Sequence, residues 1–164
     1  MTASLRCFVA TLILLALIVP AAIAQNKVNP KEAARSRWVD SIYNSLNDTE
    51  RIGQLFMVAA YSGGKDYNEE KIVQLVQAGH VGGLIFMQGT PEAEATQNNT
   101  FQKLAKVPLL IGMDAEWGLG MRLTGVKDLP RAMMTGATMD TALAYRLGEA
   151  IAAQCKRMGV HINF

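Results

Sequence analysis

The chain has 164 residues, 50% of them hydrophobic and 18% charged, with 16 Lys plus Arg against 14 Asp plus Glu and a formal net charge of +2. That length holds one globular domain, the apolar content excludes a disordered chain, and two cysteines exclude a disulfide framework. Balanced charge without a basic block leaves no electrostatic footprint for nucleic acid, so no such partner is expected.

The first segment reads as an address. Arg6 precedes an uncharged apolar run from Cys7 to Val19, Pro20 follows, and Ala22-Ile23-Ala24 places small residues where a signal peptidase cuts. The run is shorter than the roughly 17–25 residues that span a bilayer. A secreted or periplasmic protein cleaved after Ala24 is therefore expected, with no stable membrane insertion afterwards. Cleavage leaves about 140 residues and Cys155 as the one thiol, a composition that tolerates an oxidising compartment. Cys155 falls in a helical pattern, where it reads as a small buried apolar residue.

Gln25–Ser36 is polar, contains Pro30 and reads as a linker. From Arg37 to Leu46, Trp38, Ile42, Tyr43 and Leu46 recur at helical spacing. Asn47-Asp48-Thr49-Glu50 offers a helix cap with acids in the first turn, and a short helix follows through Ile52. Leu55–Ala60 is a first strand, and Asn68–Gln77 a helix stopped by Gly79. Val81–Met87 is a second strand. Thr90-Pro91-Glu92 starts a helix toward Leu104, with a hydroxyl cap and a proline in the first turn. Pro108–Met113 is a third strand, and Glu116–Thr138 reads as a loop. Asp140 caps a long amphipathic helix that runs to Met158 and stops at Gly159. Val160–Phe164 is a fourth strand.

The strands are continuous apolar runs, as expected where helices cover both faces of a parallel sheet or ring it in a barrel. Alternating strands and helices make the fold class α/β. Spacing alone leaves a barrel and a doubly wound sheet both open. Phe164 closes the sequence inside an apolar strand, and a complete eight-unit barrel takes about 250 residues. The chain is thus expected to be the N-terminal part of a larger protein, holding about three and a half strand–helix units.

The chemistry gathers behind the third strand, in Asp114-Ala115-Glu116-Trp117-Gly118-Leu119-Gly120-Met121-Arg122. On an extended backbone Asp114 and Glu116 share a face. Trp117 adds an aromatic plate, Gly118 and Gly120 permit tight turns around a ligand, and Arg122 adds a planar donor fork. Carboxylate, ring and guanidinium form a sugar-binding kit; equally, Asp114 and Arg122 make a pair that fixes the loop. Acids at i and i+2 approach a sugar from one side, whereas retaining glycosidases flank the scissile bond with carboxyls about 5–5.5 Å apart. The spacing favours binding over catalysis for Asp114 and Glu116.

The segment IGMDAEWGLGMRL, with WVDSIYNSLNDTERIGQLFMVA upstream and VGGLIFMQGTPEA between, resembles the N-terminal half of the glycoside hydrolase family 3 barrel, of the bacterial β-N-acetylglucosaminidase (β-N-acetylhexosaminidase) type. The family's D-x-E-G-G-R-V-x-R signature falls on Asp114 to Arg122. Trp117 stands where the signature has its first glycine, and Leu119 where it has its first arginine. The resemblance implies that the domain at 37–164 is part of a (β/α)8 TIM-type barrel. It further implies that Asp114 and Arg122 contact a sugar, with Glu116 at the signature's glutamate. The family's Lys-His segment, catalytic His loop and nucleophilic Asp are expected beyond Phe164, so no catalytic residue is assigned in this chain and the chain alone is expected to be inactive. The whole protein is then a secreted retaining glycosidase releasing terminal β-linked N-acetylglucosamine, with a β-glucoside as the alternative substrate. No metal and no cofactor are implied.

Other residues carry less. His80 and His161 lack the Cys, Asp or Glu spacing of a metal site; His80 reads as exposed or capping and His161 as hydrogen-bonded in its strand. Met87, Met113, Met121, Met133, Met134 and Met139 read as flexible core filling. Ser62-Gly63-Gly64-Lys65 lacks the P-loop spacing. Asn47-Asp48-Thr49 and Asn98-Asn99-Thr100 match the N-glycosylation pattern. A secreted carbohydrate-binding protein without turnover, using Asp114, Trp117 and Arg122 as a cradle, is the rival from another class; a phosphate-handling barrel isomerase is a second.

Overall fold

A computed structural model describes residues 29–164. The expected signal segment and its cleavage point after Ala24 lie outside the described residues. The chain divides into two compact units between Asn44 and Ser45. The described part of the first, residues 29–44, is almost wholly helix α1, whose bounds are Pro30–Ser45. It begins well before Arg37, so the segment expected as a linker is helical from Pro30. Proline suits a first turn, where its missing N–H has no intrahelical acceptor, and the Asn29 side chain accepts from Lys31 N–H at 3.0 Å.

The second unit runs α2 (Asp48–Gly53), β1 (Met57–Ala60), α3 (Glu69–Gln77), β2 (Gly83–Phe86), α4 (Pro91–Leu104), β3 (Leu110–Met113), a 3-10 turn (Leu119–Met121), α5 (Ala132–Ala137), α6 (Thr141–Met158) and β4 (Ile162–Asn163). The expected caps are in place. Asn47 accepts from Glu50 N–H while Glu50 reaches back to Asn47 N–H, both at 2.9 Å, a reciprocal capping box. That backbone bond, and then Lys106 beside it, hold the Glu50 carboxyl below its usual range. Thr90 caps α4 and Asp140 caps α6. Gly79 and Gly159 take the left-handed conformation past their helices, with φ of 69° and 73°.

Several boundaries move, β2, β3 and β4 each being shorter than the apolar runs Val81–Met87, Pro108–Met113 and Val160–Phe164 expected as strands. Leu55 and Phe56 turn off α2, their N–H groups donating to Ile52 and Gly53 at 3.0 Å, so β1 begins only at Met57. The expected loop Glu116–Thr138 contains the 3-10 turn and α5. Six residues without a side-chain cap leave too little periodicity for α5 to be read from sequence.

All three strand pairings are parallel, in the order β1-β2-β3-β4. A doubly wound sheet needs a reversal of order at a switch point, and the order here has none. The architecture is α/β with a parallel sheet, part of a TIM-type barrel. Among the described residues of this unit, the helices lie against one face. Ala60, Leu84, Phe86, Ile111 and Met113 are buried there against Ile72, Val76, Phe101 and Cys155. Phe86 and Phe101 stack with centroids 6.4 Å apart, and full burial of each such side chain is worth about 1.5–3 kcal/mol.

The opposite face carries no helix among the described residues of this unit, which favours the ringed barrel over the doubly wound sheet. Met57, Ala59 and Ile85 are half-buried there and Leu110 is 45% exposed. Its residues are apolar because this face is a barrel's interior. Gly112 shows the crowding, since a Cβ would meet Met57 Sδ at 3.2 Å and the Phe164 ring at 2.9 Å. Among the methionines read as core filling, Met113 is buried but Met133, Met134 and Met139 are exposed.

One helix face breaks the apolar rule. On α4, Glu94, Gln97 and Asn98 are buried beside Phe101. Neither carboxylate oxygen of Glu94 has a hydrogen-bond partner. Burial pushes this carboxyl up to about 8, the neutral form being the cheaper one to desolvate. Burial and then Glu94 also raise the Cys155 thiol, so Cys155 is an unreactive buried group. Asn98 donates to Met158 C=O at 3.2 Å, so its amide nitrogen is engaged in the folded chain.

Candidate functional site

Met113, the last residue of β3, is buried on the helix side. Asp114 follows it and by alternation belongs to the opposite, barrel-interior face, at the C-terminal edge of the sheet where barrel active sites form. Its side chain is 30% exposed and accepts a charge-assisted bond from Arg122 Nη2. Arg122 Nε also donates to the Asp114 carbonyl at 3.0 Å. One guanidinium thus holds both the side chain and the main chain of Asp114.

The 3-10 turn delivers Arg122 to that position. Arg122 N–H donates to Leu119 C=O at 3.0 Å, closing a loop just long enough to fold the guanidinium back onto Asp114. Asn163 clamps the residue between, its amide accepting from Ala115 N–H at 2.8 Å and donating to Ala115 C=O at 3.2 Å. From α6, Gln154 accepts from Leu119 N–H at 3.0 Å. The loop is therefore fixed by β4 and by α6.

Three sequence readings change here. Extended alternation ends at Asp114, because Gly118 N–H donates to Ala115 C=O at 3.0 Å and turns the chain at Glu116 and Trp117. Glu116 is exposed on that turn rather than aligned with Asp114 along a strand. The Trp117 ring is not a bare plate, since the Arg131 guanidinium lies 4.2 Å from its centroid, a cation–π contact. Gly118 and Gly120 face protein rather than a ligand. At Gly118, with φ of 82°, a Cβ would sit 2.5 Å from Gln154 Oε1, and at Gly120 it would meet Asp128.

Sequence reasoning found Asp114 and Arg122, which the fold brings together, and it missed Arg131, Gln154 and Asn163. An Asn inside the apolar run VHINF was the signal available for Asn163. Nothing local marks the other two. His161 Nδ1 accepts from Ile111 N–H at 2.9 Å, the hydrogen-bonded role read for it, and His80 is exposed. Among the described residues no group of three or more His, Cys, Asp or Glu is placed to hold a metal ion, and no helix is long and apolar enough to cross a membrane.

The loops after β1, β2 and β3 form one rim. Ser62 N–H donates to Gln88 C=O at 3.0 Å, and Gly89 C=O accepts from Thr124 N–H at 2.9 Å and from its hydroxyl at 3.1 Å.

Comparison with known proteins matches residues 48–164 to the family described as "Glycosyl hydrolase family 3 N terminal domain". A beta-N-acetylglucosaminidase/beta-glucosidase of Cellulomonas fimi is 27% identical over 127 residues, which cover 77% of this chain and 22% of that protein. The chain thus spans about a fifth of that relative's length. Among solved structures, the beta-glucoside phosphorylase BglX bound to 2FGlc is similar with a TM-score of 0.70 at 22% identity, over 84% of this chain and 24% of that one. The same phosphorylase in a second structure gives a TM-score of 0.62 at 22% identity, over 84% of this chain and 23% of that one.

Proposed function

The chain belongs to glycosyl hydrolase family 3 through the N-terminal domain of that family, and from that premise we propose that it is the sugar-positioning part of a secreted, retaining β-N-acetylhexosaminidase. One observation carries the reading: Asp114, a carboxylate at the C-terminal edge of β3 on the barrel-interior face, held in place by Arg122. A carboxylate fixed at two points accepts sugar hydroxyls in one orientation, and the guanidinium edge left over donates to others. Trp117, with the Arg131 guanidinium over its ring, is on the same loop and offers an apolar surface.

In the reaction proposed for the whole protein, an aspartate attacks the anomeric carbon as the glycosidic C–O bond breaks. An acid protonates the leaving oxygen, and water then releases the sugar from the glycosyl-enzyme. Asp114 and Arg122 contribute by holding the ring in place, the proximity part of catalysis. The Cellulomonas fimi relative carries both acetylglucosaminidase and glucosidase in its name, which supports terminal N-acetylglucosamine as substrate and keeps a β-glucoside as the second reading. Secretion rests on the leader, Met1 to Ala24.

The chain alone is expected to bind N-acetylglucosamine and to leave a chromogenic β-N-acetylglucosaminide intact. Turnover by this chain would refute its assignment as a positioning part without nucleophile or acid/base. Absence of saccharide binding that depends on Asp114 would refute the site.

A further inference from the structure

Where β4 joins the sheet, a side chain takes the place of a main-chain acceptor. Ile111 is fully buried in β3, and both of its main-chain polar groups go to His161. Its C=O accepts from His161 N–H at 2.8 Å, and its N–H donates to His161 Nδ1 at 2.9 Å. The cause is the way the chain enters β4. Gly159 turns it out of α6 with φ of 73°, and Val160 N–H is still bonded to Cys155 C=O at 2.9 Å. β4 begins only at Ile162, so the imidazole stands where a neighbouring strand presents a carbonyl.

That replacement makes the bond conditional on protonation. A ring nitrogen that accepts carries no proton, so the neutral ring holds its proton at Nε2; an imidazolium can only donate. Histidine is the side chain whose charge changes between pH 5 and 8. Once the ring is charged, the buried Ile111 N–H faces another donor and has lost its acceptor. The surroundings do not compensate. Lys156 and Cys155 of α6 line the space around His161, with Asn98, Asn99 and Gln102 of α4, and the start of β3 adds apolar residues. Burial raises the Cys155 thiol, so the one charge among them is the Lys156 ammonium. No carboxylate lines this space to hold an imidazolium.

The bond also lies in line with Asp114. β4 is only Ile162 and Asn163, paired with Gly112 and Met113, and Phe164 N–H donates to Met113 C=O at 2.9 Å. Asn163, two residues past His161, clamps both main-chain groups of Ala115, and Ala115 follows Asp114. A strand this short has few bonds to share the loss of one.

We propose that His161 is a pH-sensitive clasp: its neutral ring seats β4 on β3, and its protonation frees β4 and with it the loop that carries Asp114. Opening takes up the proton, so the clasp is complete at pH 8 and weakens as the pH falls to 5. It acts whatever ligand Asp114 holds. Amide hydrogen exchange of the full chain at the two pH values tests it, each rate being referred to an unstructured peptide at the same pH. Ile111 and Ala115 are expected to lose about tenfold in protection at pH 5, while Met87, bonded to Ala60 C=O between β1 and β2, keeps its own. His161→Asn offers an uncharged acceptor near the position of Nδ1 and is expected to keep both amides protected at both pH values. His161→Ala has no acceptor and is expected to leave them weakly protected at both. His80→Ala, which removes the other of the two histidines, is expected to respond as the parent does. The clasp is overturned if protection does not fall at both amides, or falls equally at Met87. It is also overturned if the response survives in His161→Asn, disappears in His80→Ala, or if His161→Ala stays as protected as the parent at pH 8. Should the His161 variants not fold, the ring-proton signals of His161 in the unaltered chain decide. A midpoint shared with the Ala115 amide supports the clasp, and an Ala115 amide that follows another midpoint or none overturns it.

Discussion

Arg122 holds Asp114 at two points, through the carboxylate with Nη2 and through the main-chain carbonyl with Nε at 3.0 Å. The pair is both a structural latch for the loop and the presentation of a carboxylate to the barrel interior. Those two roles, alternatives on sequence alone, are compatible in one geometry.

Arg122→Lys separates them. Lysine keeps the charge but cannot span both oxygens. Half-exposed ion pairs are worth about 0–1 kcal/mol, so the melting temperature is expected to fall only slightly. Saccharide affinity, which depends on the orientation of Asp114, is expected to fall about tenfold in a titration. Unchanged affinity in a folded variant would show that orientation by Arg122 contributes nothing.

Asn163→Ala removes both clamps on Ala115, a fully buried residue. The Ala115 carbonyl keeps its bond from Gly118 N–H, so the buried Ala115 N–H is the group left unsatisfied, at a cost of about 1–3 kcal/mol. Denaturant unfolding is expected to show a loss within about 1–4 kcal/mol, with Asn163→Asp also destabilising because a carboxylate cannot donate to the Ala115 carbonyl. An unaltered midpoint in Asn163→Ala would mean that β4 does not secure the loop.

Gly118→Ala places a Cβ in a conformation, φ 82° and ψ −177°, that is essentially reserved for glycine and costs about 1–3 kcal/mol. The same Cβ strikes Gln154 Oε1, the acceptor for Leu119 N–H. Destabilisation comparable to Asn163→Ala is expected, together with weaker saccharide binding as the 3-10 turn shifts. A neutral effect on both would contradict the packing of α6 against this loop.

Glu94 sets a pH dependence. Its folded pKa is about 8 against 4.5 for the free group. Between those values the folded chain binds more protons than the unfolded one, so stability falls as pH rises through this window, by up to roughly 1.4 kcal/mol per pH unit. Glu94→Gln keeps the shape without the ionisation, and its stability is expected to be flatter between pH 5 and 8 and higher than the parent's at pH 8. Parallel pH profiles of the two proteins, read from unfolding midpoints, would exclude the effect.

Much of this was legible beforehand. Asn47, Thr90 and Asp140 cap helices through bonds to residues two or three positions away, and Gly79 and Gly159 stop them by their own conformation, so a linear reading suffices. Pro30 misled because proline both breaks helices and begins them, and the difference lies in whether its N–H is needed. Glu94 was invisible, since a glutamate in a polar helix reads as solvated until a sheet and a second helix close over it.

Apart from the short helix α5, the chain sequence by itself determined the order of helices and strands, the α/β class and the placement of Asp114 at a strand's end, because these follow from local hydrogen bonding and from periodic burial. Only the tertiary structure decided that Arg122 folds back on Asp114, that Arg131 covers Trp117, and that Gln154 and Asn163 secure the loop between them. Those contacts join residues that are 8, 14, 35 and 48 positions apart, and no local preference encodes a distance that only packing can set.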